Sequence, residues 1–226
     1  MKKIITIIST LFLFVANVNA ATTNVGIKGS YGNFNAAGSH TTNSDGSNTG
    51  GTAVNSSGDA NFPYGSLMIE REGNFSGFNV AIGLDYVPFK AEVETLGGGT
   101  GTDAKVNLKD YYTIYVQPTK TFGNGVGVFA KLGYSEGKLT VTDVKRQASF
   151  TTGAATTVST DSGAKLTLKG FTYGVGVEKT FSNSAFVRLE YNYTDYDNLT
   201  YTTSNSKVLK ADSDLSTGSI TIGKKF

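Results

Sequence analysis

Charged side chains recur at alternate positions along segments that are otherwise apolar. Glu178 and Arg188 each lie five residues from Asn183, and Gln117 and Lys131 each lie seven residues from Asn124 in the preceding turn. Partners placed like this in an antiparallel pair lie within side-chain reach. The chemistry expected of them is ion pairing, because an isolated buried charge would be too costly. We predict one network in the interior, with these charged members: Lys28, Glu70, Asp85, Lys131, Glu178, Arg188 and Glu190.

The same residues offer little for catalysis. His40 is the one histidine of the chain and sits in a polar segment, so no Ser–His–acid triad is expected and the protein is not predicted to be an enzyme. Cysteine is absent, which excludes disulfides and thiolate metal sites. We expect neither a cofactor nor a metal site. The carboxylates of Asp195, Asp197, Asp212 and Asp214 suit calcium by type, but solvated loop residues are the simpler interpretation.

The elements that carry these charges have the period of two that defines a β-strand. Four segments pair apolar residues with a basic residue, and three of them end in phenylalanine. They predict a periplasmic-interface belt of Arg71, Lys120, Phe122, Lys179, Phe181, Lys224 and Phe226. Four others climb to tyrosine and predict an outer aromatic belt of Tyr31, Tyr86, Tyr134, Tyr191 and Tyr193. An apolar face between two amphipathic belts is typical of a barrel wall in lipid.

Eight strands account for this pattern. We place them at 24–33, 64–72, 77–90, 105–122, 126–140, 165–181, 185–200 and 215–226. Short Gly/Asn/Ser turns at 73–76, 123–125 and 182–184 alternate with long polar loops at 34–63, 91–104, 141–164 and 201–214. The prediction is an all-β, eight-stranded antiparallel up-and-down transmembrane barrel with short periplasmic turns and long extracellular loops. A soluble β-sandwich and a ten-stranded barrel, with an extra hairpin at 141–164 or 201–214, are the alternatives.

Residues 1–20 have the pattern of a secretory signal peptide: Lys2 and Lys3, an apolar run, and the small Ala20 at the end. The barrel domain is then 21–226. Loss of the two lysines leaves 18 basic and 18 acidic residues, which removes the case for a nucleic-acid partner.

The segment 189–196, LEYNYTDY, resembles the penultimate strand of small proteobacterial outer-membrane barrels. These are the "porin family" surface antigens akin to OmpX and the OmpA transmembrane domain. The final Phe226, with Ile220 and Ile222, resembles the signal read by the barrel-assembly machinery. The resemblance implies a monomer in the Gram-negative outer membrane, in contact with lipid and lipopolysaccharide. It implies a structural or surface-interaction role through an unknown extracellular partner; a narrow pore for small polar solutes is the alternative, and an outer-membrane enzyme a distant one.

Overall fold

The computed structural model describes residues 21–42, 52–93, 102–146, 165–202 and 208–226. In these residues no helix has the length and apolar character needed to cross a bilayer. The strands of the described residues are β1 (Thr22–Thr42), β2 (Thr52–Phe75), β3 (Phe78–Tyr86), β4 (Ala91–Val93), β5 (Thr102–Thr121), β6 (Val126–Arg146), β7 (Lys165–Thr180), β8 (Ala185–Thr202) and β9 (Val208–Lys225).

The strands close into a barrel with eight strand positions around its circumference, here called staves. Each strand pairs antiparallel with its neighbour in sequence, except that β3 and β4 both pair with β5 and so form one stave. The first and last strands join along a ladder from Asn24–Lys225 to His40–Leu209. Closure satisfies the backbone groups that an open edge would expose to lipid. The predicted fold class is confirmed, and neither the sandwich nor the ten-stranded barrel is formed.

Three tight turns lie at one end of the barrel, here called the turn end. Two are where the sequence predicted them, and Gly125 and Ser184 supply the positive φ angles that they need. The prediction of a turn at 73–76 was wrong. Strand β2 continues to Phe75, which pairs with Phe78, because Ser76 and Gly77 both adopt positive φ and complete a two-residue turn.

At the opposite end the strands run much further than predicted. The β1–β2 ladder continues through Asn35–Asp59 to Thr42–Thr52, inside the segment expected to be a loop. Strands β6 and β9 likewise extend into 141–146 and 208–214. The polar composition hid these strands, since their pairing is propagated from the register established below.

Side chains alternate between the two faces as the strand period requires. In the half nearest the turns, outward residues are apolar and exposed, as at Ile27 (65%), Val175 (61%) and Leu189 (53%). Leu84 lies in the same outward rows but is only 4% exposed. We call this half the membrane zone. Exposed aromatic residues, here called the outward aromatic row, mark the end of this zone: Tyr31, Phe171, Tyr173, Tyr191 and Tyr193. We call the part beyond them, such as 165–170 of β7 and 195–202 of β8, the extension.

Candidate functional site in the barrel lumen

Arg188 on β8 forms the centre of one group of buried charges near the turn end. Its Nη1 and Nη2 donate to the two carboxylate oxygens of Glu70 on β2, at 2.7 and 3.0 Å. Its Nε and Nη2 donate to Glu178 Oε2 on β7, at 3.0 and 2.7 Å. Nη1 also lies 3.3 Å from Gln117 Oε1 on β5. The Arg188 side chain is fully buried, so this guanidinium ties staves on opposite sides of the lumen together.

The packing around Arg188 depends on glycines that face aromatic rings. The guanidinium carbon lies 5.2 Å from the Phe129 ring centroid and 5.3 Å from that of Phe186. Phe129 is paired with Gly176 and Phe186 with Gly223. A Cβ at either glycine would lie 2.3–2.4 Å from the facing ring. The inward glycines therefore make room for rings that hold the guanidinium in a narrow barrel.

A second group, the upper ring, lies further from the turns. Lys28 Nζ of β1 contacts Asp85 Oδ2 of β3 at 2.6 Å and donates to Glu190 of β8. Lys131 Nζ of β6 lies 2.8 Å from Glu190 and 3.5 Å from the same Asp85 oxygen. Charges of alternating sign thus follow one another around the lumen on four staves. Mutual pairing offsets the cost of burying four charges.

Tyr115 connects the two groups. Its hydroxyl donates to Glu70 Oε1 at 2.7 Å, while the Lys131 ammonium lies 4.0 Å from its ring centroid. The seven charged residues predicted to form the network are therefore placed together, as two ion-paired groups joined by one phenol. The predicted cross-strand pair of Glu178 with Arg188 is confirmed in the register and in the contact.

Sequence reasoning missed several members of the lumen network. Lys225 Nζ bridges Glu72 and Glu178, at 3.0 and 2.9 Å, and Asn24 Nδ2 donates to Glu70 and Glu72. These residues, and Tyr115, occupy inward positions of the strand period. The alternation that identified the others therefore contained the signal for them too.

A small cavity of about 30 Å³ adjoins the upper ring on the side away from the turns. Its polar lining includes Thr113, Thr172 and Thr194, which form a hydroxyl chain with Ser135 at 2.6–2.9 Å. Asp85 Oδ1 has no hydrogen-bond partner among the described protein groups. The space matches one or two water molecules, far less than a continuous channel.

Beyond this cavity the lumen is filled by apolar side chains. Phe62 and Leu168 are each 1% exposed, as is Leu215. Tyr196 donates its hydroxyl to Tyr111 at 3.2 Å, and burial raises the pKa of Tyr196 well above its ordinary value, so the phenol stays protonated. We call this group the apolar plug; its buried members are Ala60, Phe62, Val87, Ala91, Val93, Leu108, Tyr111, Leu139, Leu168, Tyr196 and Leu215.

The predicted belt residues lie on the outer surface. Phe122, Phe181 and Phe226 are exposed at the turn end, where Arg71, Lys120, Lys179 and Lys224 also face outward. In the outer belt, Tyr31, Tyr191 and Tyr193 are exposed, whereas Tyr86 and Tyr134 are half-buried. The structure does not bring the belt residues into contact with the lumen network.

The carboxylates considered for calcium lie on the outside of the extension. Asp195 pairs with Asp214 across β8 and β9, and Asp212 and Asp59 lie near them. They line an open groove of about 300 Å³, the acidic groove, in which Asn35 Nδ2 donates to Asp214 at 3.0 Å. The described residues contain no group of three or more His, Cys, Asp or Glu side chains arranged to hold a metal ion. The side chain of His40 lies outside the described residues.

Several solved structures resemble the chain at low sequence identity. The outer membrane protein OprG of Pseudomonas aeruginosa is 19% identical, with a TM-score of 0.50 over 90% of this chain and 95% of its own. The attachment invasion locus protein Ail of Yersinia pestis is 14% identical, with a TM-score of 0.46 over 90% and 98%. The outer membrane protease OmpT of Escherichia coli is 9% identical, with a TM-score of 0.46 over 93% and 98%.

No curated protein sequence matches the chain significantly. The family model described as "Outer membrane protein beta-barrel domain" matches residues 5–223, nearly the whole sequence. The closed antiparallel barrel, with its apolar outer wall and charged interior, is the architecture that such a family requires. The chain therefore belongs to the family of outer-membrane β-barrel domain proteins.

Proposed function

We propose that the protein is a non-conducting outer-membrane scaffold that presents the extension to partners outside the cell. The observation that carries the proposal is the double closure of the lumen. Arg188 spans it near the turns, and the apolar plug fills it at the opposite end. A polar solute would have to break buried ion pairs and then cross a closely packed, mainly apolar region that offers few polar groups to replace its hydration.

The outer surface of the extension supports the interaction part of the proposal. Strand pairing continues well beyond the exposed aromatic residues, so β1, β2, β8 and β9 form a backbone-paired polar wall with one irregularity between Tyr196 and Leu199. The acidic groove is a concave part of that wall, formed by backbone-paired residues. Residues on paired strands present a fixed surface, whose binding costs little ordering entropy.

A narrow pore for small polar solutes is the second candidate. The cavity beside the upper ring and the unpaired Asp85 Oδ1 favour it, because they provide a polar step inside the lumen. The apolar plug opposes it. We assign no catalytic role, since the one histidine of the chain lies on β1 in the extension, away from the lumen charges.

Planar-bilayer conductance of the refolded chain separates the two candidates. We expect a silent bilayer for the wild type and for Glu178→Gln, with folding verified by heat-modifiable gel migration. Discrete current steps in the wild type that change in Arg188→Gln would contradict the scaffold proposal and establish the pore.

Surface binding is tested on cells that display the protein over a matrix-coated surface. One variant replaces 43–51 by two glycines. Deleting the whole predicted loop 34–63 is unsuitable, because it would also remove Phe34 and Phe62, which pack against or in the apolar plug. We expect that replacement, or Asp195→Asn with Asp214→Asn, to reduce attachment while gel migration stays native. Unchanged attachment in both variants would contradict an interaction role for this surface.

A further inference from the structure

Four cations face outward at the turn end of the barrel. They are Arg71 on β2, Lys120 on β5, Lys179 on β7 and Lys224 on β9. These strands are every second stave of the closed barrel. With strands about 4.8 Å apart, the cations are spaced about 10 Å around the circumference. We call them the basic ring.

The basic ring differs from the cations of the lumen in its partners. Each inward cation, Lys28, Lys131, Arg188 or Lys225, forms a salt bridge with a carboxylate. Within the described residues, no cation of the basic ring has a carboxylate in salt-bridge range. The contrast is sharpest at two successive residues: Lys225 bridges Glu72 and Glu178, whereas the Lys224 ammonium lies 5.5 Å from the centroid of the Phe226 ring.

The contacts that the basic ring does make leave donors free. Lys120 Nζ donates to the Gly77 carbonyl at 3.3 Å, and Lys179 Nζ donates to the Asn124 carbonyl. Arg71 Nη1 donates to Thr23 Oγ1 at 2.8 Å. An ammonium has three donors and a guanidinium five, so each group retains capacity for an external anion.

The depth of the basic ring is set by its neighbours. Apolar residues such as Val177 and Ile222 lie one outward position deeper on the same strands. Exposed phenylalanines surround the ring at the turns: Phe75, Phe78, Phe122, Phe181 and Phe226. Aromatic and basic side chains of this kind mark the level where hydrocarbon meets headgroups. In outer-membrane barrels the short turns face the periplasm, so this level belongs to the inner leaflet.

We propose that the basic ring binds the phosphate groups of anionic phospholipids in the periplasmic leaflet. Four unpaired cations at headgroup depth complement a layer of negative charge, and a spacing near 10 Å lets each one meet a separate lipid. The carboxylates of the lumen pair with the inward cations. The countercharge of the basic ring is therefore supplied by the lipid phosphates.

The test compares stability in two lipid mixtures. The mature chain is folded into vesicles of phosphatidylcholine alone and of equal parts phosphatidylcholine and phosphatidylglycerol. Because tryptophan is absent, the folded fraction in urea is scored by heat-modifiable gel migration. We expect the anionic lipid to stabilise the wild type, and added salt to remove the difference.

The decisive variant replaces all four ring cations by glutamine. The variant, which combines Arg71→Gln, Lys120→Gln, Lys179→Gln and Lys224→Gln, should be equally stable in the two mixtures. Each cation removed should account for roughly a fivefold change in the ratio of the unfolding equilibrium constants in the two mixtures. The matched control neutralises four exposed lysines of the extension, Lys109, Lys138, Lys169 and Lys210, and should keep the difference.

Two results would overturn the proposal. The ring variant could match the stability of the wild type in both mixtures. Alternatively, it could lose stability equally in both, which would mean that the cations stabilise the turns. In either case the stabilisation by phosphatidylglycerol is retained. If the ring variant folds poorly in vesicles, native mass spectrometry of detergent-folded protein decides instead. Equal retention of phosphatidylglycerol by variant and control would then refute lipid binding.

Discussion

The membrane zone and the extension are built from the same strands but with opposite polarity. On β7 the outward residues change from Val177 and Val175 to Lys169 and Thr167, while the inward residues change from Glu178 to Leu168. The backbone pairing of β7 with β6 continues through the change without interruption, whereas its pairing with β8 ends at Gly170. The membrane zone, or lower half, is apolar outside and charged inside. The extension, or upper half, is polar outside and apolar inside.

The difference shows that the solvent outside the wall decides which face is apolar. In lipid an outward apolar side chain needs no protein partner, and the interior is left to ion pairs. Above the lipid, water lies outside and the apolar side chains turn inward to form the plug, as in a soluble barrel. The outward row that contains Tyr191 and Tyr193 marks the change, which is where amphipathic aromatics are stable.

The largest expected effect removes the central cation of the lower half. Arg188→Met leaves Glu70 buried without its cation and leaves Glu178 paired with Lys225 alone, and it should destabilise the barrel by about 3–5 kcal/mol. Urea titration of the vesicle-folded protein measures the change. The triple variant with Glu70→Gln and Glu178→Gln should recover most of it. A triple variant as unstable as Arg188→Met would show that the guanidinium acts by packing rather than by charge.

In the upper half the corresponding change is Leu168→Ala. This buried side chain belongs to the apolar plug, and its truncation should cost about 2–5 kcal/mol. The exposed neighbour Thr167 provides the control, since Thr167→Ala should change stability by less than about 0.5 kcal/mol. Equal tolerance of both substitutions, measured by the same titration, would mean that the extension lacks a water-excluding core.

The outer wall is tested by one substitution made on both sides of the boundary. Val177→Lys places a charge in the hydrocarbon one outward position deeper than the basic ring and should destabilise the barrel by about 1–2 kcal/mol, between the costs at the interface and at the midplane. Thr167→Lys, on the same strand and face but in the extension, should be neutral within about 0.5 kcal/mol. Leu189→Lys should behave like Val177→Lys. Similar effects for Thr167→Lys and Val177→Lys would contradict the placement of the boundary.

The smallest effect concerns an exposed ion pair of the extension. Lys138 Nζ lies 2.8 Å from Asp110 Oδ2, and this hydrogen bond lowers the pKa of Asp110 below its ordinary value. The pair therefore stabilises the folded state above the unfolded pKa of aspartate, and this contribution is lost as the pH falls through the lowered value. Asp110→Asn should remove less than about 1 kcal/mol near neutral pH. Carboxyl NMR titration of Asp110 should show a normal pKa in Lys138→Gln; an unchanged pKa would exclude the pair as the cause.

The sequence predicted the strands of the membrane zone because the outward apolar residues of these strands recur without interruption. Val175, Val177 and Leu189 expose apolar side chains at a strict period of two, and the turn at Asn183 gives the opposition of Glu178 and Arg188. Contacts across the lumen, such as Arg188 with Glu70, could not be derived. They depend on which staves face each other and at what height, which strand tilt determines.

The extension was hidden for a different reason. Its apolar residues, such as Phe34, Phe62 and Leu215, are separated by Asn, Ser, Asp and Gly that face water, so each segment reads as a polar loop. The missing information is the long ladder below, which fixes the register and brings these scattered side chains to one interior. Local composition cannot show this, because only tertiary pairing assembles the plug.

The ladder between β1 and β9 has a consequence for the order of folding. It unites the two most distant strands of the sequence, whereas the other ladders link near neighbours. Local hairpins can form early, but the ring exists only after this last pairing has closed the longest loop, which makes folding slow. Until then no strand has both an enclosed interior and a lipid-ready exterior. We therefore expect the barrel to remain open until β9 pairs with β1, so that membrane insertion and closure of the lumen occur in one step.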